Sequence, residues 1–460
     1  MLKNLCSLLA CLLLFLCSCK KIEEQLNFPP DNFEAYVNYR SETTAEISWK
    51  PSSDPDGDEI TYSVEIGGKI VASKLTKTTY LVTNLSAGTN YQGRIIATDS
   101  KNAYKAAPFS ISTYQEQVLF FNRNLGFVSY NLDGKRSWKA LDDVQNTPAL
   151  SNDTAFINDN VTLYAINLKD GATLMKVEHQ QSAYTGITYH KGVLLFSSYL
   201  KIKAVRANDG TLLWSMPYDF VVREIIAADG IAYISAAERL IAVDLITGNV
   251  KWTAQATQGF FSSLIAKNGV VYSLTTTEHD KQGRLHAFNA KTGNLLWNYI
   301  FDGTSLRLGG ASAPTISGNL IYFPVHVYAS GYYNFMYAVN TTTGTLAWKQ
   351  PINDYGELYS VMSNDLGLFV CSTARLIKMD LKNGNTIWTS AGQYNASFTL
   401  AKDKIFATMG TFTGQTAVID VATGQKTKTI NTISDGSAPI VIRNGEVFYP
   451  SNRSGMAHSK

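Results

Sequence analysis

A short pattern that returns eight times after residue 116 constrains this chain more than anything else in it. Residues 240–252 show it clearly, with Ala242, Asp244, Gly248 and Trp252 at fixed offsets. Residues 285–297 repeat it as Ala287, Asn289, Gly293 and Trp297, and residues 336–348 as Ala338, Asn340, Gly344 and Trp348. Residues 202–214 and 376–388 keep the frame and end on Trp214 and Trp388, the second with Lys378 in the alanine position. Three copies depart further: 127–138 is one residue short before Gly134 and ends on Trp138, 163–175 ends on Met175, and 416–428 ends on Lys428. The eight glycines, at 134, 171, 210, 248, 293, 344, 384 and 424, are spaced by 37, 39, 38, 45, 51, 40 and 40 residues. Internal periods of this size belong to propellers and solenoids.

Each copy reads as two antiparallel strands about a tight turn. An Asp or Asn side chain bonds the turn backbone, glycine supplies the positive φ, and tryptophan offers a broad apolar plate. Between copies lie two more strand candidates, such as 225–228 and 230–235. Four strands per period make a propeller blade, and a ring of blades protects all but short sheet edges. A solenoid would need capping repeats, and the sequence offers none. Residues 117–139 supply only three strands, whereas 438–442 and 446–449 follow the final copy. The C-terminal tail is therefore expected to complete the first blade. Eight blades follow; seven is the alternative, because the strand near Val447 has no evident place.

The form Ala-x-Asp/Asn-x-x-Thr/Asp-Gly-x-x-x-Trp resembles the repeat of the pyrroloquinoline quinone propeller superfamily. The resemblance implies an all-β propeller over residues 115–460, in which Trp138, Trp214, Trp252, Trp297, Trp348 and Trp388 are the plates that dock one blade on the next. It also implies two functional branches. Quinone-dependent dehydrogenases of the superfamily carry an adjacent cysteine pair, a Glu/Asn set for calcium and a catalytic Asp. Cys371 is the only cysteine after Cys19, so the quinone is not expected. The other branch is non-catalytic and includes the lipoprotein that assists outer-membrane protein assembly.

Residues 1–18 read as a signal peptide, with Lys3 as a positive start and an apolar stretch over 5–16 that is too short to span a membrane comfortably. Leu16-Cys17-Ser18-Cys19 resembles a bacterial lipobox, which implies acylation of Cys19 and anchoring to the lipid membrane without a spanning helix. Residues 19–30, with Lys20, Lys21, Glu23, Glu24 and a Pro29-Pro30 pair, read as a tether. Charged starts of this kind resemble those of lipoproteins carried to the outer membrane; surface and periplasmic faces both stay open.

Residues 31–114 alternate in short runs. Ala45, Ile47 and Trp49 share one strand face, and several such strands argue a two-sheet sandwich. Trp49 with Leu85-Ser86-Ala87-Gly88-Thr89-Asn90-Tyr91 resembles a fibronectin type III module, which makes Leu85 and Tyr91 core and corner residues. Asp54, Asp56 and Asp58 invite calcium, a hard cation that takes clustered carboxylates. They lack EF-hand spacing, and Pro55-Asp56-Gly57 is a good turn by itself, so no metal is expected and calcium is the alternative.

A formal charge of +3 with 17% charged residues provides no basic field for a nucleic acid. The sequence holds no CxxC, HExxH or GxSxG frame. His279, between Glu278 and Asp280, is a candidate base or metal ligand, although a loop histidine among polar neighbours is ordinarily solvated. The spacings of 45 and 51 place extra residues in the connections 275–283, 301–310 and 327–334, on the rim opposite the glycine turns. These carry Glu278, His279, Asp280, Arg307, Tyr328, Tyr332 and Tyr333, with Tyr355 and Glu357 close behind in sequence. Aromatics with a few long polar groups suit recognition of an envelope protein or a glycan. The expected function is thus a non-catalytic envelope lipoprotein that binds protein or glycan. The alternatives are a quinone-dependent or other propeller enzyme and an outer-membrane assembly factor.

Overall fold

Burial alternates residue by residue in Ala45–Trp49 and Thr61–Ile66, because successive strand side chains point to opposite sheet faces. The computed structural model describes residues 26–448 except 123–125, 143, 145–146, 152, 160, 179–185, 199, 219–220, 257–258, 277–281, 303–312, 329–331, 353–357, 373, 411–413, 432–438 and 444–445. The chain divides after Tyr114 into two compact units.

In the first unit Ala35–Arg40, Ala45–Trp49 and Thr79–Val82 form one sheet; Lys69–Leu75, Thr61–Ile66, Asn90–Thr98 and Tyr104–Ser112 form the other in that order. Ile47, Trp49, Val64, Ile95 and Ile111 are buried in a shared core. Leu85 is buried, and the Tyr91 hydroxyl accepts the Ser86 N–H at 2.7 Å, which closes the corner expected from the sequence.

The second unit forms eight sheets among the described residues, one for each copy of the motif. Blade 2 spans 149–178, blade 3 188–217, blade 4 222–255, blade 5 260–302, blade 6 315–352, blade 7 358–391 and blade 8 394–431, each with four antiparallel strands in chain order. The second strands Val193–Ser198, Ile231–Ala236 and Gly367–Ser372 are buried at every position. A neighbouring blade covers each face, so the strand has no water-facing side and reads as a nearly unbroken apolar run. Cys371 lies in such a strand, fully buried. Fourth strands such as Leu212–Pro217 are largely exposed, with the tryptophan as the buried exception.

Blade 1 is built from both parts of the unit. Its order is Arg136–Leu141, Gly126–Asn131, Gln117–Asn122, Ile440–Arg443 and Glu446–Phe448. Leu119 pairs with Ile440 and Val118 with Val441, so the tail completes the blade. The strand without an evident place in the sequence adds a fifth member through Val441 and Phe448. The buried Glu116 carboxylate lies 3.6 Å from Lys404 Nζ and 3.9 Å from Arg443 Nε, and Arg443 also pairs with Asp403.

Candidate functional site

Six of the eight blades hand a tryptophan to the turn of the next. Gly293 in blade 5 has φ +74°, and a Cβ there would lie 2.6 Å from Cδ2 of Trp252 in blade 4; the turn admits glycine alone, because both the conformation and the approach exclude a side chain. The same contact joins Trp138 to Gly171, Trp214 to Gly248, Trp297 to Gly344, Trp348 to Gly384 and Trp388 to Gly424. Ala242 sits opposite Trp252 in the ladder, and Ala204, Ala287 and Ala338 sit opposite Trp214, Trp297 and Trp348. A small cross-strand partner leaves the ring free to lie over the next blade. Five indoles also donate to that blade's backbone: Trp214 to Leu245 O at 2.9 Å, Trp252 to Ala290 O at 3.0 Å, Trp297 to Thr341 O at 3.1 Å, Trp348 to Leu381 O at 3.1 Å and Trp388 to Val421 O at 3.0 Å.

A second donor at these joints is not apparent from the glycine and tryptophan frame. Tyr233, Tyr272 and Tyr322 give their hydroxyl protons to the same Ala290, Thr341 and Leu381 oxygens, at 3.2, 3.3 and 3.1 Å. The signal was present as a tyrosine three residues after the first hairpin turn, in Gly230-Ile231-Ala232-Tyr233 and Gly269-Val270-Val271-Tyr272. Burial, with Asp380 adding, pushes the Tyr322 phenol up to about 12, so it stays a donor across ordinary pH. Blade 7 has Phe369 at this place, and Lys378 Nζ, from the alanine position opposite it, reaches Val421 O. Blade 8 ends its copy on Lys428, whose ammonium lies 2.9 Å from Asp133 in the turn of blade 1. Blade 2 offers Met175, which has no proton to give.

Three titratable groups packed inside the propeller are tied into its own framework. Glu224 Oε2 accepts the Leu264 N–H at 2.7 Å. His286 lies 3.1 Å from Thr275 Oγ1, and burial, helped by Arg284, pushes its imidazole down to about 4. His326 Nδ1 donates to Asn334 Oδ1 at 2.6 Å.

Of the residues expected on the binding rim, Glu278, His279, Asp280, Arg307, Tyr355 and Glu357 lie outside the described residues, as do Cys19 and the signal segment. Tyr328, Tyr332 and Tyr333 fall on a hairpin of blade 6. The expected connection 327–334 is in fact mostly strand: Leu320–Tyr328 pairs with Tyr332–Asn340, Val327 opposite Tyr333 and Tyr328 opposite Tyr332. Val and Tyr favour a pleated ladder, and the pairing simply continues. These strands have 9 residues against 6 in Val193–Ser198 of blade 3. Three more residues at ~3.3 Å each lengthen the paired strands by about 10 Å. In blade 5, Val270–Thr276 and Gln282–Asn289 lengthen in the same direction.

In the sandwich, one carboxylate oxygen from each of Asp54, Asp56 and Asp58 lies within 4.8 Å of the others. Asp54 Oδ1 accepts the N–H groups of Asp56 and Asp58 at 2.9 and 3.1 Å, Asp56 Oδ2 accepts that of Phe28 at 2.6 Å, and Lys101 Nζ lies 3.1 Å from Asp58 Oδ2. The carboxylates thus shape a turn, and an ammonium group already offsets part of their charge.

Residues 200–425 match the family model described as outer membrane protein assembly factor BamB, and residues 28–111 match that of the fibronectin type III domain. Outer membrane protein assembly factor BamB of Kangiella koreensis is 23% identical over 43% of this chain and 49% of its own length; that of Moranella endobia is 22% identical over 46% and 56%. The chain thus spans about half the length of these curated relatives. Among solved structures, dihydro-heme d1 dehydrogenase NirN in complex with DHE aligns with a TM-score of 0.55 and 8% identity over 72% of this chain and 75% of that one, a likeness of fold alone. The chain carries a fibronectin type III domain followed by a β-propeller of pyrroloquinoline quinone-like repeats.

Proposed function

We propose that this chain is a non-catalytic scaffold of the bacterial envelope, held at the outer membrane through acylated Cys19, whose propeller binds protein partners in outer-membrane assembly. The match of residues 200–425 to the assembly-factor model carries the reading. The use of Glu224 and His286 in internal hydrogen bonds fits it, since groups spent on the framework are not poised for acid–base work. The binding rim is assigned to the long hairpins of blades 5 and 6 with the connections next to them, Tyr328, Tyr332 and Tyr333 supplying aromatic anchors. A rigid ring that carries longer hairpins on one rim is a suitable mount for such contacts.

Three measurements test this in the bacterium that encodes the chain. Depletion should lower the β-barrel proteins of the outer membrane, and unchanged levels would remove the assembly role. Tyr332→Ala with Tyr333→Ala should weaken capture of envelope proteins by cross-linking while leaving the melting temperature close to wild type; full capture would move binding off this rim. Cys19→Ser should release the chain from the membrane fraction or leave an unprocessed precursor, and palmitate labelling should be lost with it.

A further inference from the structure

Two departures from the repeat fall at one joint. In blade 2, Met175 stands in the tryptophan position, opposite Ala165 as Trp252 stands opposite Ala242. In blade 3, Arg206 stands four residues before Gly210, where blades 4 to 8 have Asp244, Asn289, Asn340, Asp380 and Asp420. Both residues line a cleft of about 620 Å³ between the two blades, a size that suits a small organic group.

The cleft lies beside the joint at which the tryptophan is replaced. Phe156 and Tyr189 stack on one another along it, with centroids 5.3 Å apart and planes at 19°. Ala207 also lines it and occupies the place of Leu245, Ala290, Thr341, Leu381 and Val421, whose carbonyl oxygens accept an indole N–H at the other joints. The thioether of Met175 gives Ala207 no such proton. The Gly210 turn rests on Val177 and Met175, so the joint is packed without a ring beneath it. Lys191 and Arg206 make the cleft cationic, the latter paired with Asp209 at 3.3 Å where both are about half exposed. Leu174 and Ile246 line it as well and are each 57% exposed.

We propose that this cleft receives a tryptophan side chain presented by an acidic segment of a protein partner. Five joints of the same ring show how an indole lies flat against the next blade and bonds to its backbone; here Val177 and Met175 hold the place beneath Gly210, and the cleft is lined by residues beside it. A partner's indole entering here would meet the partly exposed Tyr189 ring and a guanidinium able to lie over its face, with the Ala207 carbonyl as the acceptor to reach, while Lys191 and Arg206 favour carboxylates on either side of it. Tryptophan is also the side chain that most often anchors an interface. The proposal stands apart from the assembly reading and from the rim of blades 5 and 6.

The test is a titration of the purified full chain with an acidic peptide bearing one central tryptophan, the same peptide with leucine, and N-acetyltryptophanamide. The tryptophan peptide should bind, with the leucine peptide and the free amide each weaker by about tenfold or more. Met175→Trp, which fills the cleft from within, should abolish binding. Arg206→Glu changes an exposed side chain and should weaken it by about tenfold, which keeps the test valid if the tryptophan variant fails to fold. Equal binding of the two peptides, no binding of either, or full affinity in Arg206→Glu would overturn the proposal. Free amide binding as tightly as the peptide would assign the cleft to a small indole compound and overturn the protein partner.

Discussion

Lys378 Nζ lies 3.2 Å from the main-chain oxygen of Val421, the oxygen that also accepts the indole proton of Trp388 at 3.0 Å. Blades 4, 5 and 6 fill the second donor's place with a tyrosine hydroxyl opposite an alanine; blade 7 fills it with a lysine opposite Phe369. The two arrangements are alternative ways of bringing a second donor to one carbonyl. Lys378→Ala should therefore cost about 1 to 2 kcal/mol. Phe369→Tyr added to it should recover a large part of the loss by restoring the Tyr–Ala pair of the other blades. Urea unfolding of the four proteins in the cycle gives the coupling, and strict additivity of the two changes would contradict the exchange.

Trp252 is 8% exposed, lies beneath Gly293 and packs with Tyr233 and Phe288. Trp252→Ala removes a large buried ring and its bond to Ala290, so it should cost roughly 3 to 5 kcal/mol. Such a loss is a large part of the ~5 to 15 kcal/mol that separates a folded domain from its unfolded chain. Denaturation within ~0.5 kcal/mol of wild type would deny the plate its docking role.

His286 makes stability depend on pH in a defined window. Its folded value of about 4 lies below its ordinary 6.5, so the unfolded chain binds the proton more readily. The neutral, buried imidazole contributes fully above pH 6.5, and the contribution falls as acid is added until pH 4. The loss should reach about 2 kcal/mol at pH 5. His286→Gln removes the titration, so the gap between wild type and variant should change between pH 7.5 and 5. A gap that stays constant in urea titrations at the two values would show that the imidazole is not held neutral.

A chain stopped at residue 438 lacks the two strands that complete blade 1. Gln117–Asn122 then becomes an open edge whose apolar residues Val118, Leu119 and Phe120 lose a neighbour. Open edges of this kind pair with other chains. The shortened protein should elute as dimers or larger aggregates in size exclusion, and a monomer with wild-type melting would mean that the tail strands are dispensable.

Millimolar calcium should leave the sandwich's melting temperature unchanged, because Asp54 Oδ1 is committed to the turn and Lys101 sits on Asp58. A rise on adding calcium that EGTA reverses, and that Asp54→Asn removes, would place an ion among the three carboxylates.

The blades were legible because one side chain type, tryptophan, does one job at a fixed register, and the glycine it lies beneath tolerates no substitute. The sandwich was legible from alternation and from the corner of Leu85 and Tyr91. The hairpin at 327–334 was misread as a connection because glycine spacing measures how many residues separate two turns and not whether they pair. The tyrosine donors escaped because Tyr233, Tyr272 and Tyr322 sit in runs where any large apolar residue would also fit; their hydroxyls matter only once the neighbouring blade's carbonyl is in place. The cleft escaped for a related reason. Met175 was visible as a departure, but the cleft beside it depends on Phe156, Tyr189 and Arg206, which meet it only in the folded ring.

The stitching of blade 1 from residues 117–141 and 440–448 also sets an order of events. A propeller blade made from one hairpin after another can form as the chain emerges, but Leu119 has to wait for Ile440, with every other blade made in between. Contacts that distant in sequence close slowly. During that wait the edge at 117–122 is open to a matching strand, and the nearest source of one is the tail of another copy, so crowded copies would tend to exchange tails. The clasp that keeps each molecule to itself is therefore a matter of timing as much as of affinity.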